Sequence, residues 1–281
     1  MDLSQLHGRD LHPGIIKIAE QGDFTILDLF DNLPWLKTGA DWTAWRAFLC
    51  ALYGLPMTDQ EYAIYQRCTG RTDRPTEPSD EAWLPVGRRG RKSAVVAVVV
   101  LFNAAYRRDY KPYIAPGETP TVPILAKDKY EAKQIRSYLV AMLSDPRLSY
   151  LLDGEPTTEE IKLKVPGPTG EYGVSIIIRA ATITAGRSRA VLTAVLDEVA
   201  FFRSDESANP DKDILRGLQP GMANIPQAMT LGLSSPYAKK GLLYEKFLRH
   251  YGKPTRKTRS QRRLSMGENS GTTLGLTFCR R

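Results

Sequence analysis

Apolar residues recur at three- and four-residue intervals through DWTAWRAFLCALY, so that Trp42, Trp45, Leu49 and Leu52 share one face of a helix expected over 41–53. Asp41 is placed to cap its start and Gly54 to end it. A second short helix is expected around Asp59 to Arg67, followed by RTDRPTEPSDE, whose prolines and charges mark a loop or linker. From Ala82 onward the pattern changes to short apolar runs alternating with helical ones. Strands are expected at 121–126, 174–181, 191–196 and 228–233, and helices at 128–143 and 241–250. That alternation predicts an α/β fold with a mostly parallel sheet covered by helices.

One segment reads both ways. In SAVVAVVVLFNAAYRR, residues 93–108, the β-branched residues favour a strand, whereas the length favours a helix. Helix is the expectation, because the segment follows a candidate phosphate loop. Such a loop needs a helix N-terminus to aim free N–H groups and a positive dipole end at the anion.

Composition narrows the class. A chain of 281 residues with 42% hydrophobic and 25% charged residues can bury one good-sized core and a smaller companion, which excludes disorder throughout. The apolar run Ala94 to Phe102 is too short to span a bilayer, and MDLSQLHGRD lacks the order of a secretory signal, so no membrane partner and a cytoplasmic location are expected. The three cysteines and three histidines show no metal-ligand spacing, and Cys50 reads as a small core residue. The net charge of +8 is local: residues 253–281 hold eight basic residues and one acid, leaving the rest at +1.

Three segments carry candidate chemistry. VGRRGRKS at 86–93 is a partial match to the phosphate-loop pattern G-x-x-x-x-G-K-[ST]. Lys92 and Ser93 are in place, Val86 and Arg91 stand at the glycine positions, and Gly87 and Gly90 are each displaced by one. The loop would bind phosphate through Gly87, Arg88, Arg89, Gly90, Arg91, Lys92 and Ser93, and a basic surface turn is the plainer alternative. VLTAVLDE at 191–198 is an apolar strand ending in two carboxylates, of which Asp197 would hold Mg²⁺ together with Ser93, and Glu198 would polarise water. MTLGLSSP at 229–236 runs into Ser234 and Ser235, hydroxyls that could contact a terminal phosphate or its water; an ordinary Ser-Pro turn is the alternative.

With these segments in view, the chain resembles the ATPase motor of the large terminase subunits that package DNA into tailed-phage capsids. The resemblance spans about Trp42 to Gly252. It rests on W-x-x-W-R-x-F-L at 42–49, CTGR at 68–71, the GRRGRKS loop, LDEVAFF at 196–202 and LGLSSPYAKKGLLYEKF at 231–247. It implies a RecA-like P-loop ATPase core using ATP and Mg²⁺. Lys92 and Ser93 would match the Walker A lysine and hydroxyl, Asp197 and Glu198 the Walker B pair with Glu198 and Lys92 catalytic, and Ser234 and Ser235 the coupling motif. An adenine-side glutamine is implied, for which Gln66 is the candidate, and a transition-state arginine, for which Arg88, Arg89, Arg187 and Arg189 all stand open.

The implied partners are double-stranded DNA, a small terminase subunit, the capsid portal and further copies in a ring, in the cytoplasm of a bacterial host. The division expected is a helical segment at 1–80, an ATPase domain at 81–252 and a basic, disordered tail at 253–281. That tail has one acid and no strand-like pattern, so a two-metal nuclease is not expected, and a truncation or frame change is the reading of its abrupt composition. Two other functions stay open: another RecA-like nucleic-acid ATPase of helicase type, and a non-catalytic remnant binding DNA through its basic tail.

Overall fold

The computed structural model describes residues 24–34, 41–107, 110–167, 170–182, 190–204, 207–253 and 275–277. Its strands are β1 (Glu81–Pro85), β2 (Thr121–Ala126), β3 (Glu160–Gly167), β4 (Gly170–Ala180), β5 (Thr193–Asp197), β6 (Met229–Ser234) and β7 (Gly275–Thr277). Its helices are α1 (Ile26–Asp31), α2 (Thr43–Tyr53), α3 (Asp59–Thr69), α4 (Lys92–Ala105), α5 (Lys129–Leu143), α6 (Pro210–Met222) and α7 (Gly241–His250). The strands form one sheet in the order β3-β4-β2-β5-β6-β1-β7. Among the described strands β3 and β4 pair antiparallel, and the other strand pairs are parallel. The expected α/β class, a mostly parallel sheet flanked by helices, is what the chain adopts.

Successive residues of the central strands face opposite layers. Leu84, Ile124, Val195 and Leu231 join the larger core with α1 to α5, while Trp83, Leu125 and Leu196 join the smaller one with α6 and α7. Gly232 pairs with Trp83 across β1 and β6, and a Cβ there would lie 2.1 Å from the indole, so the ring occupies the space a side chain would need.

The ambiguous segment is a helix. All five valines of α4 are buried with 0% exposure. Each lowers helix propensity by about 0.5 kcal/mol, less than the ~1.5–3 kcal/mol that burying such a side chain contributes. The polar group it carries inside is satisfied, because Asn103 accepts from Tyr53 Oη at 2.7 Å and donates to Thr193 Oγ1 at 2.9 Å.

Two expectations need correction. Asp41 is not the N-cap of α2; Trp42 is, and Asp41 Oδ1 instead accepts from Thr43 N at 2.9 Å. Residues 253–281 do contain a strand, since Gly275–Thr277 pairs parallel with β1 and extends the sheet. The described helices before residue 80 pack on the sheet layer: Phe30, Trp45, Phe48, Leu52 and Tyr65 share one continuous core with Leu84, Val95 and Val98.

Candidate functional site

The sheet register assembles the three chemical segments. Pro85 of β1 pairs with Ser234 of β6, and Asp197 of β5 pairs with Leu233, so β6 lies between the strand that enters the loop and the strand that ends in the two acids. Val86 N donates to Ser234 O at 3.1 Å and ties the loop's first residue to that edge. The C-terminal edge of parallel strands is where open α/β sheets bind ligands, because loops and helix N-termini gather there.

The loop from Gly87 to Arg91 is a turn closed by Gly90 N donating to Gly87 O at 3.2 Å. A Cβ at 90 would stand 2.4 Å from Val86 Cγ1 and 3.0 Å from Gly87 O, so a side chain there would force a shift, whereas Gly87 faces open space. Arg91, standing where the pattern calls for glycine, adopts the left-handed backbone with φ 61° and ψ 21°. Arg89 does the same at φ 61°. The Arg91 backbone thus follows a path that favours glycine, and its guanidinium lies over the Trp42 ring, 4.8 Å from the centroid. α4 then begins at Lys92 without a side-chain cap, which leaves first-turn N–H groups available to an anion. Arg88 and Arg89 are exposed.

Glu198 gathers the rest of the site. It follows the last residue of β5 in a left-handed conformation, φ 53°, which lifts its side chain out of the strand's alternation. Its Oε1 lies 2.6 Å from Lys92 Nζ, and its Oε2 accepts from Ser234 Oγ at 2.9 Å and from Ser235 N at 3.0 Å. Burial pushes this carboxyl up, but the bonds from Lys92, Ser235 and Ser234 and the lysine charge outweigh it and hold the group below the usual carboxylate range. Lys92, Glu198, Ser234 and Ser235 therefore meet at one place, and Ser234 is fully buried.

Asp197 ends β5 at 3% exposure, and Ser93 is the second residue of α4, half-buried. One carboxylate and one hydroxyl suit a hard cation that takes its remaining ligands from phosphate and water, as Mg²⁺ does. Among the described residues no group of three or more His, Cys, Asp or Glu side chains could hold a metal.

No described contact joins the other candidates to this cluster. Gln66 is half-buried on α3, where its carbonyl accepts from Gly70 N at 2.8 Å, and no described hydrogen bond joins its side chain to the loop. Arg187 and Arg189 lie outside the described residues. Cys50 is a core residue, its thiol pushed up to about 11 chiefly by burial. No described helix is long and apolar enough to cross a membrane. What sequence reasoning missed is the contact of α2 with the loop: Trp45 Nε1 donates to Gly90 O at 3.1 Å, forty-five residues away.

No protein-family model matches the chain, and no curated protein matches it. Among solved structures it is similar to the large terminase ATPase domain of Thermus phage P74-26, at 16% identity over 83% of this chain and 84% of that one, with a TM-score of 0.49. It is similar to the large terminase of bacteriophage HK97 at 17% identity over 70% and 37%, TM-score 0.46. It is also similar to the large terminase of a thermophilic bacteriophage in complex with ADP, at 11% identity over 73% and 42%, TM-score 0.44. Likeness this distant carries no activity or partner with it.

Proposed function

We propose that this chain is the ATP-hydrolysing part of a phage DNA-packaging motor of the large-terminase kind, built on a RecA-like core. The observation that carries the ATPase reading is the meeting of Lys92, Glu198, Ser234 and Ser235 beside an uncapped helix N-terminus. The packaging reading rests on the resemblance of LDEVAFF and LGLSSPYAKKG to that family's motifs.

In this reading the N–H groups of residues 87–93 and Lys92 Nζ neutralise the phosphates of ATP. Ser93 and Asp197 hold Mg²⁺, which supplies charge neutralisation at the phosphate oxygens. Glu198, released from Lys92 as phosphate takes the lysine, orients the attacking water and accepts its proton. Ser234 and Ser235, bonded to the same carboxylate, transmit its movement to the segment leading into α7. Double-stranded DNA is the translocated substrate, and a ring of copies docked on a capsid portal, with a small terminase subunit, is the working assembly.

The test is steady-state ATP hydrolysis with and without duplex DNA, in the wild-type chain and in K92A. DNA-stimulated turnover abolished by K92A is expected. Turnover unchanged in K92A would remove the loop assignment. Wild-type DNA binding without turnover, lost on deleting 253–281 and steeply salt-dependent, would favour the remnant reading instead.

A further inference from the structure

A loop with arginine at its second glycine position, directly before the lysine, needs help to keep its shape. The left-handed backbone costs a residue with a Cβ about 1–2 kcal/mol relative to the right-handed one, and this loop adopts it at both Arg89 and Arg91. Two contacts from α2 bear directly on the second of these. The Arg91 guanidinium lies 4.8 Å from the Trp42 ring centroid, and Trp45 donates its indole N–H to the carbonyl of Gly90 at 3.1 Å.

We infer that Trp42 and Trp45 are positioning residues that hold the phosphate-type loop in its working conformation and replace the conformational freedom of the missing glycine. The inference rests on the nucleotide-binding reading of the loop for its functional consequence. The mechanism has two parts. A trans peptide points its C=O and N–H in opposite directions, so pinning Gly90 O on Trp45 turns the Arg91 N–H away from α2. The cation over the Trp42 face then offsets the strain of φ 61° at Arg91.

α2 is stiff enough for the task. Trp45 is fully buried and packs edge-on to Phe48 with centroids 5.7 Å apart, and Trp42 packs edge-on to Phe30 at 5.8 Å. Arg46, next to Trp45, is paired with Asp31 of α1 and with Glu61 of α3, the latter at 3.0 Å. The bracing thus ties the loop to the helices that precede the sheet.

The experiment is a cycle of W42A, R91G and the double variant, with W45F alongside, read by amide hydrogen exchange of residues 86–93 and by the Michaelis constant for ATP. W42A is expected to speed loop exchange and raise the Michaelis constant about fivefold. In the R91G background the same change is expected to alter both by less than about twofold, because glycine adopts the left-handed backbone unaided. W45F keeps an aromatic ring at this buried position but loses the indole N–H along with the five-membered part of the ring system, and is expected to speed exchange in either background. Equal effects of W42A in both backgrounds, or no effect of W45F, would overturn the inference. A wild-type chain that neither binds nor hydrolyses ATP would overturn the proposed function instead, and the exchange cycle would still decide the positioning roles.

Discussion

Lys92 Nζ lies 2.6 Å from Glu198 Oε1, so the cation assigned to phosphate and the carboxylate assigned to water neutralise each other across the site. The two side chains are 12% and 17% exposed, a setting in which losing one partner matters to the other. In the proposed function, phosphate entering the loop would compete with Glu198 for the lysine.

E198Q removes that competitor and the proton acceptor together. ATP affinity is expected to rise several-fold while turnover falls by about 100-fold or more. Equilibrium binding of ATP beside steady-state hydrolysis checks this; a fall in both, or unchanged turnover, contradicts the roles given to Glu198.

The same carboxylate makes stability pH-dependent in a defined direction. Its pKa is below the ordinary glutamate value of about 4.3 because the bonds from Lys92, Ser235 and Ser234 outweigh burial. A depressed pKa contributes stability that is fully present above the unfolded value and is lost as pH falls through the folded one. The difference in urea-unfolding free energy between wild type and E198Q is therefore expected to hold above about pH 5 and to shrink steadily in stronger acid.

At the opposite end of β1, Glu81 is buried between Lys246 Nζ at 2.5 Å and His250 Nε2 at 2.9 Å, both on α7. E81Q leaves Lys246 buried without its carboxylate and is expected to cost on the order of 3 kcal/mol in urea unfolding. Adding K246M is expected to recover part of that loss, since the stranded charge is then gone.

G232A forces a methyl into the Trp83 ring, to which an ideal Cβ would come within 2.1 Å. Overpacking of this kind costs about 1–3 kcal/mol. The thermal midpoint of G232A is expected to fall, and W83L in the same chain is expected to reduce the effect of G232A.

Much of this architecture was legible because its signals are local. The helix ending at Gly54 was expected there, and Gly54 is the left-handed C-cap at φ 66°. β2 and α7 occupy the residues expected of them. β3 also carries a local signal that we missed: Ile161, Leu163 and Val165 are buried, alternating with Lys162 and Lys164. α6 was hidden by Pro210, Gly217, Pro220 and Gly221, which read as breakers although Pro210 sits in the first turn and Pro220 near the end. β1 was hidden by Glu81, whose burial depends on a lysine 165 residues away.

The site divides along the same line. Lys92, Glu198, Ser234 and Ser235, which the fold brings together, could be singled out from residue type and from their places at the ends of apolar runs. What the chain's order could not convey was how Arg91 fits where glycine is customary. Nor could it convey that Trp42 and Trp45 reach the loop from another helix, or that Lys92 and Glu198 close on one another across β6. Such contacts arise from packing between segments far apart in sequence, and no local pattern of residues encodes them.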